Sequence, residues 1–302
     1  MHVDVIQPGE EPRSLTGPQI AGARLRLSNF TVNAVAQLLL AFWAIVVIFP
    51  FVWMIVTALK TDPEILSSPW TLPAALQWDN FSRAWTQAHI GRFFVNTAIV
   101  LAGSLTGTLL VSSMAAYVLA RFTFPGRQVL FYGFIAGLMF PVFLALVPLY
   151  FLVNNLNLLA TYQGLILVYI AYSLPFTIFF LTAFFKTLPN ELGEAAILDG
   201  ASQYQIFFQI MLPLARPGLI AMGIFNFLGQ WNQFLLPLVL MPSEDKYLLS
   251  QGLYFLAVQQ SYQNDYGALF AAMVITMVPT LIIYVLFQRR LESGLTAGAL
   301  KG

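Results

Sequence analysis

The stretch FFVNTAIVLAGSLTGTLLVSSMAAYVLA, Phe93 to Ala120, contains no Asp, Glu, Lys or Arg. A helix crosses the hydrocarbon core of a bilayer in about 20 largely apolar residues, so this run is long enough to span. Leu27 to Leu59, Gln128 to Phe185, Pro217 to Ser243, Tyr247 to Asn264 and Tyr266 to Gln288 are equally free of charge. The whole chain of 302 residues is 59% hydrophobic, 15% aromatic and only 9% charged, a composition suited to lipid rather than water. A net charge of +1 gives no basic field for nucleic acid. With no Cys and only His2 and His89, disulfides, thiolate chemistry and Cys or His metal sites drop out.

Six transmembrane helices follow, over about 34-59, 93-118, 129-153, 163-185, 217-241 and 267-288, giving an all-α polytopic membrane protein. The Gln128 to Phe185 run holds two crossings divided by Asn154, Asn155 and Asn157. The segment from Tyr247 carries Gln251, Gln259, Gln260 and Gln263 opposite Leu249, Leu253 and Leu256, and reads as an amphipathic helix outside the core. With the N-terminus inside, the inner loops and tails hold Arg13, Arg24, Arg26, Arg121, Arg127, Lys186, Arg216, Arg289, Arg290 and Lys301. The outer ones hold only Lys60, Arg83, Arg92 and Lys246. This asymmetry places both termini in the cytoplasm. Residues 1-30, rich in Pro and Gly and lacking an apolar run, are expected to be a disordered tail rather than a cleavable leader. Residues 291-302 form a second cytoplasmic tail.

Within the spans, Gly103 and Gly107, with Thr108, Ser112 and Ala116 on an adjoining face, predict close helix packing. Pro141, Pro148 and Pro175 are expected to interrupt the middle spans. Asn226, Gln230 and Gln233 recur at i, i+4 and i+7, beside Trp231 and Asn232. That stripe either contacts a polar, uncharged solute on a translocation path or hydrogen-bonds between helices. No span has an ionisable group at mid-depth, where an ion-coupled carrier needs one, and no internal repeat stands out. The chain has no phosphate-cradling G-x-x-x-x-G-K-[ST] loop either, so an energy source must come from a partner. Nor are there paired acids, a zinc motif or a Ser-His arrangement for an enzyme.

Between two spans, residues 186-216 form a polar insert. Pro189 suits a first helical position, Glu191 and Glu194 suit the positive end, and Asp199-Gly200 suits a left-handed stop. A second helix is expected from Ser202 to Leu212-Pro213. Helix, turn and helix, with small Ala195 and Ala196, would dock in a partner's groove or form an ordinary surface loop.

The spacing EAA-x3-G-x9-I-x-LP, filled by Glu194, Ala195, Ala196, Gly200, Ile210, Leu212 and Pro213, resembles the EAA motif of binding-protein-dependent ABC importer permeases. "PFVWMIVTALKTDPEI" from Pro50, "AYVLARFTFPGR" from Ala116, "MFPVFLALVPLY" from Met139, "WNQFLLPLVL" from Trp231 and "GLTAGALKG" from Gly294 are similar to the maltose-type carbohydrate branch. The likeness covers about residues 30 to 302. It implies a prokaryotic plasma (inner) membrane subunit with a membrane domain over 31-290, moving a di- or oligosaccharide by alternating access. Its implied partners are a second homologous permease, an ATP-binding subunit dimer and an extracytoplasmic sugar-binding protein, with ATP and Mg on the ATPase and no cofactor on this chain. Glu194, Ala195, Ala196, Asp199, Gly200 and Ala201 are then the ATPase-coupling residues, and Gly294, Thr296 and Lys301 candidate ATPase contacts in the tail. Gln233 departs from the family, where an acid commonly follows Trp-Asn. A non-sugar cargo for the same class of permease, or an ion-coupled carrier, stands as the alternative.

Overall fold

The computed structural model describes the backbone of residues 19–263 and 265–299, and side chains over 32–259 and 265–288. The described residues form helices and connecting turns, without a strand: α1 Gln19–Ala58, α2 Asp62–Ser67, α3 Asp79–Thr86, α4 Ile90–Arg121, α5 Arg127–Met139, α6 Leu146–Asn155, α7 Tyr162–Thr187, α8 Glu191–Leu198, α9 Gln203–Gln205, α10 Leu212–Leu214, α11 Arg216–Trp231, α12 Leu235–Leu240, α13 Leu249–Gln263 and α14 Tyr266–Ala299. By contacts the chain divides into residues 1–53 and 54–302. In the first unit, exposed Leu38 and Trp43 of α1 present apolar surface, as suits a helix in lipid.

Helix α1 starts well before residue 31, which shortens the tail expected over 1-30. After Pro18, which cannot continue a preceding helix, the run Gln19 to Leu27 is rich in Ala, Leu and Arg, all good helix formers. At the other end α14 runs to Ala299, through most of the tail expected at 291-302. Among the described residues, Val32–Ala58, Ile90–Arg121, Tyr162–Thr187 and Tyr266–Gln288 are long and apolar enough to cross a membrane, and two bent pairs raise the total to as many as 6.

One bent pair is α5 with the segment Val142–Asn155, which turn by 92°. The break falls at Pro141, whose ring removes the hydrogen bond that a continuous helix needs. Pro148 and Pro175 do not interrupt as expected. Pro148 occupies the first turn of α6, where no intrahelical N–H bond is required, and Pro175 lies inside a continuous α7. The other bent pair is Gln203–Leu214 with α11, which turn by 71°, and the fifth span is interrupted again where α11 ends at Trp231 and α12 begins at Leu235. An unbroken helix would pair Gln233 C=O with a Pro237 N–H that does not exist. That carbonyl instead accepts a 2.7 Å bond from Ser250 Oγ.

Helices α4 and α7 form the centre of the larger unit. A Cβ on Gly103 would fall 2.8 Å from Ile166 Cδ1, and one on Gly107 2.4 Å from Ile170 Cδ1, so these glycines do permit the close approach read from their spacing. Three buried clusters run along this pair. One joins α3, α4, α11, α13 and α14 around Phe93, Leu249, Leu256 and Trp231. A second joins α6, α7 and α12 around Val153, Tyr169 and Leu240. The third binds the ends of α4 and α7 to the segment 196–222. Leu249 and Leu256 are buried in the first cluster, so α13 uses the apolar face predicted for it.

Candidate functional site

The insert folds as helix, turn and helix. Asn190 precedes the first residue of α8, so Pro189 lies in the linker and not at the first helical position. The Arg121 guanidinium fixes that linker by donating to Leu188 O at 2.7 Å and to Asn190 Oδ1. At the far end Gly200 has φ +82, in the left-handed region, while its N–H donates to Ile197 O and the Ala201 N–H to Ala196 O. This paired bonding closes a helix only if the residue in Gly200's place tolerates positive φ.

Ser202 then starts the second segment with a reciprocal cap. Its N–H donates to Gln205 Oε1 at 2.8 Å, and its Oγ accepts from the Gln205 N–H. From Ile206 to Met211 the helix widens to a π turn, with the Leu212 N–H reaching Phe207 O five residues back. The widening directly precedes Pro213, which has no N–H to give.

Only part of the insert is available to a partner. Ala196 is 6% exposed and packs with Ile206, Phe207, Met211, Tyr117 and Phe185. It therefore does not supply the small seating surface expected of it, because α8 turns that face onto its own chain. Glu194, Ala195, Asp199 and Gly200 are exposed, and Ala201 is half-buried. Beside them Leu198 is 88% exposed, Ile197 and Leu192 are also bare, and Tyr204 follows at 76%. Apolar groups left bare together on a polar loop are the kind of surface that receives another protein or lipid. Tyr117 of α4 touches Phe207 of the insert and Phe185 of α7, with ring centroids 5.1 Å and 5.7 Å apart. The insert is thus packed through aromatic rings against two membrane helices.

The stripe on α11 resolves differently. Asn226 Nδ2 donates to Thr177 Oγ1 at 3.0 Å, and Gln230 Nε2 to Ser173 Oγ at 3.0 Å. Ser104 Oγ donates to Gln230 Oε1 at 2.6 Å. Both amides are nearly fully buried, so the stripe ties α4, α7 and α11 together by hydrogen bonds between helices. They also border a cleft of about 510 Å³ walled by Phe140, Phe143, Tyr172 and Phe225, with Ser173 at its polar side and no acidic or basic lining residue.

The other three candidates are not on this surface. Trp231 is buried in the α3–α14 cluster and its Nε1–H donates to Thr276 O at 3.1 Å. Asn232 is exposed and donates back to Leu228 O. Gln233 Oε1 accepts from the N–H groups of Phe234 and Leu235, capping α12. The i+7 position fell off the stripe because α11 stops at Trp231. An acid could accept the same two bonds, which accounts physically for either residue type following Trp-Asn. The surroundings of Gly294, the side chain of Thr296, and Lys301 altogether lie outside the described residues.

Arg121, Tyr117 and Leu198 carried no role in the insert as read from the sequence. A basic residue closing a span was the available signal for Arg121; nothing in the linear pattern singles out the other two.

A helical membrane bundle with two broken spans and a docked extramembrane helix pair is the architecture of a transport permease. Residues 108–297 match the family described as binding-protein-dependent transport system inner membrane component. The chain belongs to that family, whose members are transport subunits of ABC importers, not enzymes. It is 50% identical over 268 residues, 89% of each chain, to the diacetylchitobiose uptake system permease protein NgcG of Streptomyces coelicolor. It is 34% identical over 264 residues to the trehalose/maltose transport system permease protein MalG of Thermococcus litoralis, covering 86% of this chain and 93% of that one. Among solved structures, a chain of a bacterial ABC transporter involved in the import of the acidic polysaccharide alginate superposes with a TM-score of 0.77. That match has 20% identity over 87% of this chain and 97% of the other, and shows the fold.

Proposed function

We propose that this chain is one of two permease subunits of an ATP-driven importer for a neutral di- or oligosaccharide. Residues 186–216 are its coupling loop, with Glu194, Ala195, Asp199, Gly200 and Ala201 at the ATPase contact and Ala196 holding the loop to its own bundle. The observation that carries this reading is the loop itself. Leu198, Ile197 and Glu194 are exposed while the opposite side of the loop packs on Tyr117 and Phe185. A loop so built receives force on one face and delivers it to α4 and α7 through the other.

In this reading both termini are cytoplasmic, nucleotide and Mg sit on the ATPase dimer, and an extracytoplasmic binding protein delivers the sugar. The membrane domain spans about residues 31–290. The tail around Gly294, Thr296 and Lys301 is a further ATPase contact. ATP biases a two-state permease pair by binding better to one of its states. Relatives named for diacetylchitobiose, trehalose/maltose and arabinooligosaccharides support a glycan cargo. The 510 Å³ cleft supports a neutral one, since its polar groups are amides and hydroxyls, and aromatic walls stack on sugar rings.

Leu198→Asp tests the docking face. At 88% exposure its side chain holds nothing within its own chain, so the bundle stays folded. The expected result is loss of the ATPase from the purified complex, with the partner permease retained. Full retention of the ATPase and undiminished uptake would overturn the assignment.

A further inference from the structure

On the same side of the bundle as the coupling loop, between the ends of α4 and α7 and the start of α5, lies a second cleft of about 540 Å³. Arg127 and Lys186 both line it, and no acidic side chain does. Neither cation belongs to an ion pair among the described residues. Lys186 Nζ lies 5.7 Å from the centroid of the Phe131 ring, a contact that an anion would outcompete. Arg127 is the first residue of α5, after the left-handed Gly126, so the positive end of a helix adds to the two charges.

Thr182 is the independent sign of a ligand. It lines this cleft, is 1% exposed, and its hydroxyl has no hydrogen-bond partner. Buried polar groups are nearly always satisfied, so a donor left open beside two cations calls for an acceptor. Two cations, a helix start and a hydroxyl together suit a phosphate.

The phosphate's source follows from depth and from the rim. Arg127 and Lys186 bracket the charge-free run Gln128 to Phe185, which sets them at headgroup level where that run leaves the bilayer. Val129 and Tyr132, exposed at the rim, offer an acyl chain apolar contact. We infer that this cleft holds the phosphate of an anionic phospholipid from the leaflet on the coupling-loop side. The lipid bridges α5 and α7 immediately beside the coupling loop, so leaflet charge stabilises that junction. The inference rests on the membrane placement of these helices and not on the choice of sugar.

The test is native mass spectrometry of the assembled transporter titrated with dioleoyl phosphatidylglycerol or dioleoyl phosphatidylcholine. Wild type is expected to retain phosphatidylglycerol selectively. Two lost charges, at about fivefold each, lower that affinity about 25-fold in the Arg127→Gln/Lys186→Gln double variant. Arg92→Gln, an exposed charge on the other side of the bundle, leaves it unchanged. Thr182→Val weakens it about threefold without lowering the unfolding temperature, because the hydroxyl has no partner to lose. Equal retention of the two lipids, or full retention by the double variant, overturns the inference. Displacement of phosphatidylglycerol by millimolar inorganic phosphate assigns the cleft to a free ion and also contradicts it. Retention by the isolated chain with loss on assembly shows a partner's carboxylate as the occupant, again against a lipid.

Discussion

Gly200 separates the backbone of the coupling loop from its docking surface, because a Cβ there meets nothing within 4 Å. Within this chain the only cost of a side chain at φ +82 is conformational. For an L-residue in the left-handed region that cost is about 1–2 kcal/mol, least for Asn and Asp and greatest for β-branched residues. Gly200→Ala should therefore raise the opening of α8 about fivefold and Gly200→Val about 30-fold or more, while Gly200→Asn stays near wild type. Amide hydrogen exchange over residues 191–201 reads these shifts directly. Gly200→Asp has the backbone tolerance of Asn but brings a charge to the docking face. It should exchange like Asn and yet abolish ATP-driven sugar uptake in proteoliposomes, with the spans still inserted. If Gly200→Val and Gly200→Asp both transport at the wild-type rate, neither the left-handed closure nor the docking face matters and the reasoning fails.

Arg121→Gln removes the charged donor holding Leu188 and Asn190, and a loss of about 1–2 kcal/mol should speed exchange in residues 188–194 roughly tenfold. Unchanged exchange there would show the tether to be idle. Gln230→Leu leaves Ser104 and Ser173 without their partner and should lower the unfolding temperature of the complex, at about 0.6–2 kcal/mol per lost bond. A change in sugar preference with no loss of stability would instead make Gln230 a substrate contact first. Gln233→Glu should be nearly neutral, because a carboxylate accepts the same two N–H bonds, whereas Gln233→Leu should cost about 1 kcal/mol by uncapping α12. At the end of the bundle away from the coupling loop, Arg83 holds Asp265 through two bonds of 3.0 and 3.1 Å, and this hydrogen bonding lowers the carboxyl below its ordinary 3.8. The stabilisation is complete above the unfolded-state value near pH 4 and fades as pH falls through the lower folded value. It amounts to no more than about 1 kcal/mol for this partly exposed pair, and Arg83→Gln should remove the corresponding acid dependence of the unfolding temperature.

What the sequence disclosed depended on whether local periodicity carried the signal. Charge-free runs gave the membrane helices because crossing lipid is a property of length and composition. The close approach at Gly103 and Gly107, the Gly200 stop and the helix start at Ser202 were legible because each is set by residues a few positions apart. The partners of Asn226 and Gln230 were not. Thr177, Ser173 and Ser104 come from other helices, and only packing brings them within 3.0 Å. Extending the stripe to Gln233 failed because helical period was counted past Trp231, where α11 ends, although Pro237 downstream leaves the Gln233 carbonyl without a helical N–H partner. Ala196 was assigned outward for a related reason: small side chains suit either a partner's groove or a tight internal contact, and the face of α8 is decided by Phe207 and Met211.

The most direct test of the central claim is uptake into proteoliposomes that hold this chain with its partner permease and ATPase, supplied with the cognate binding protein loaded with sugar. Accumulation should require ATP and all the partners, and should vanish with Leu198→Asp while the bundle remains folded. Accumulation by this chain alone, driven by an ion gradient without ATP, would contradict the account.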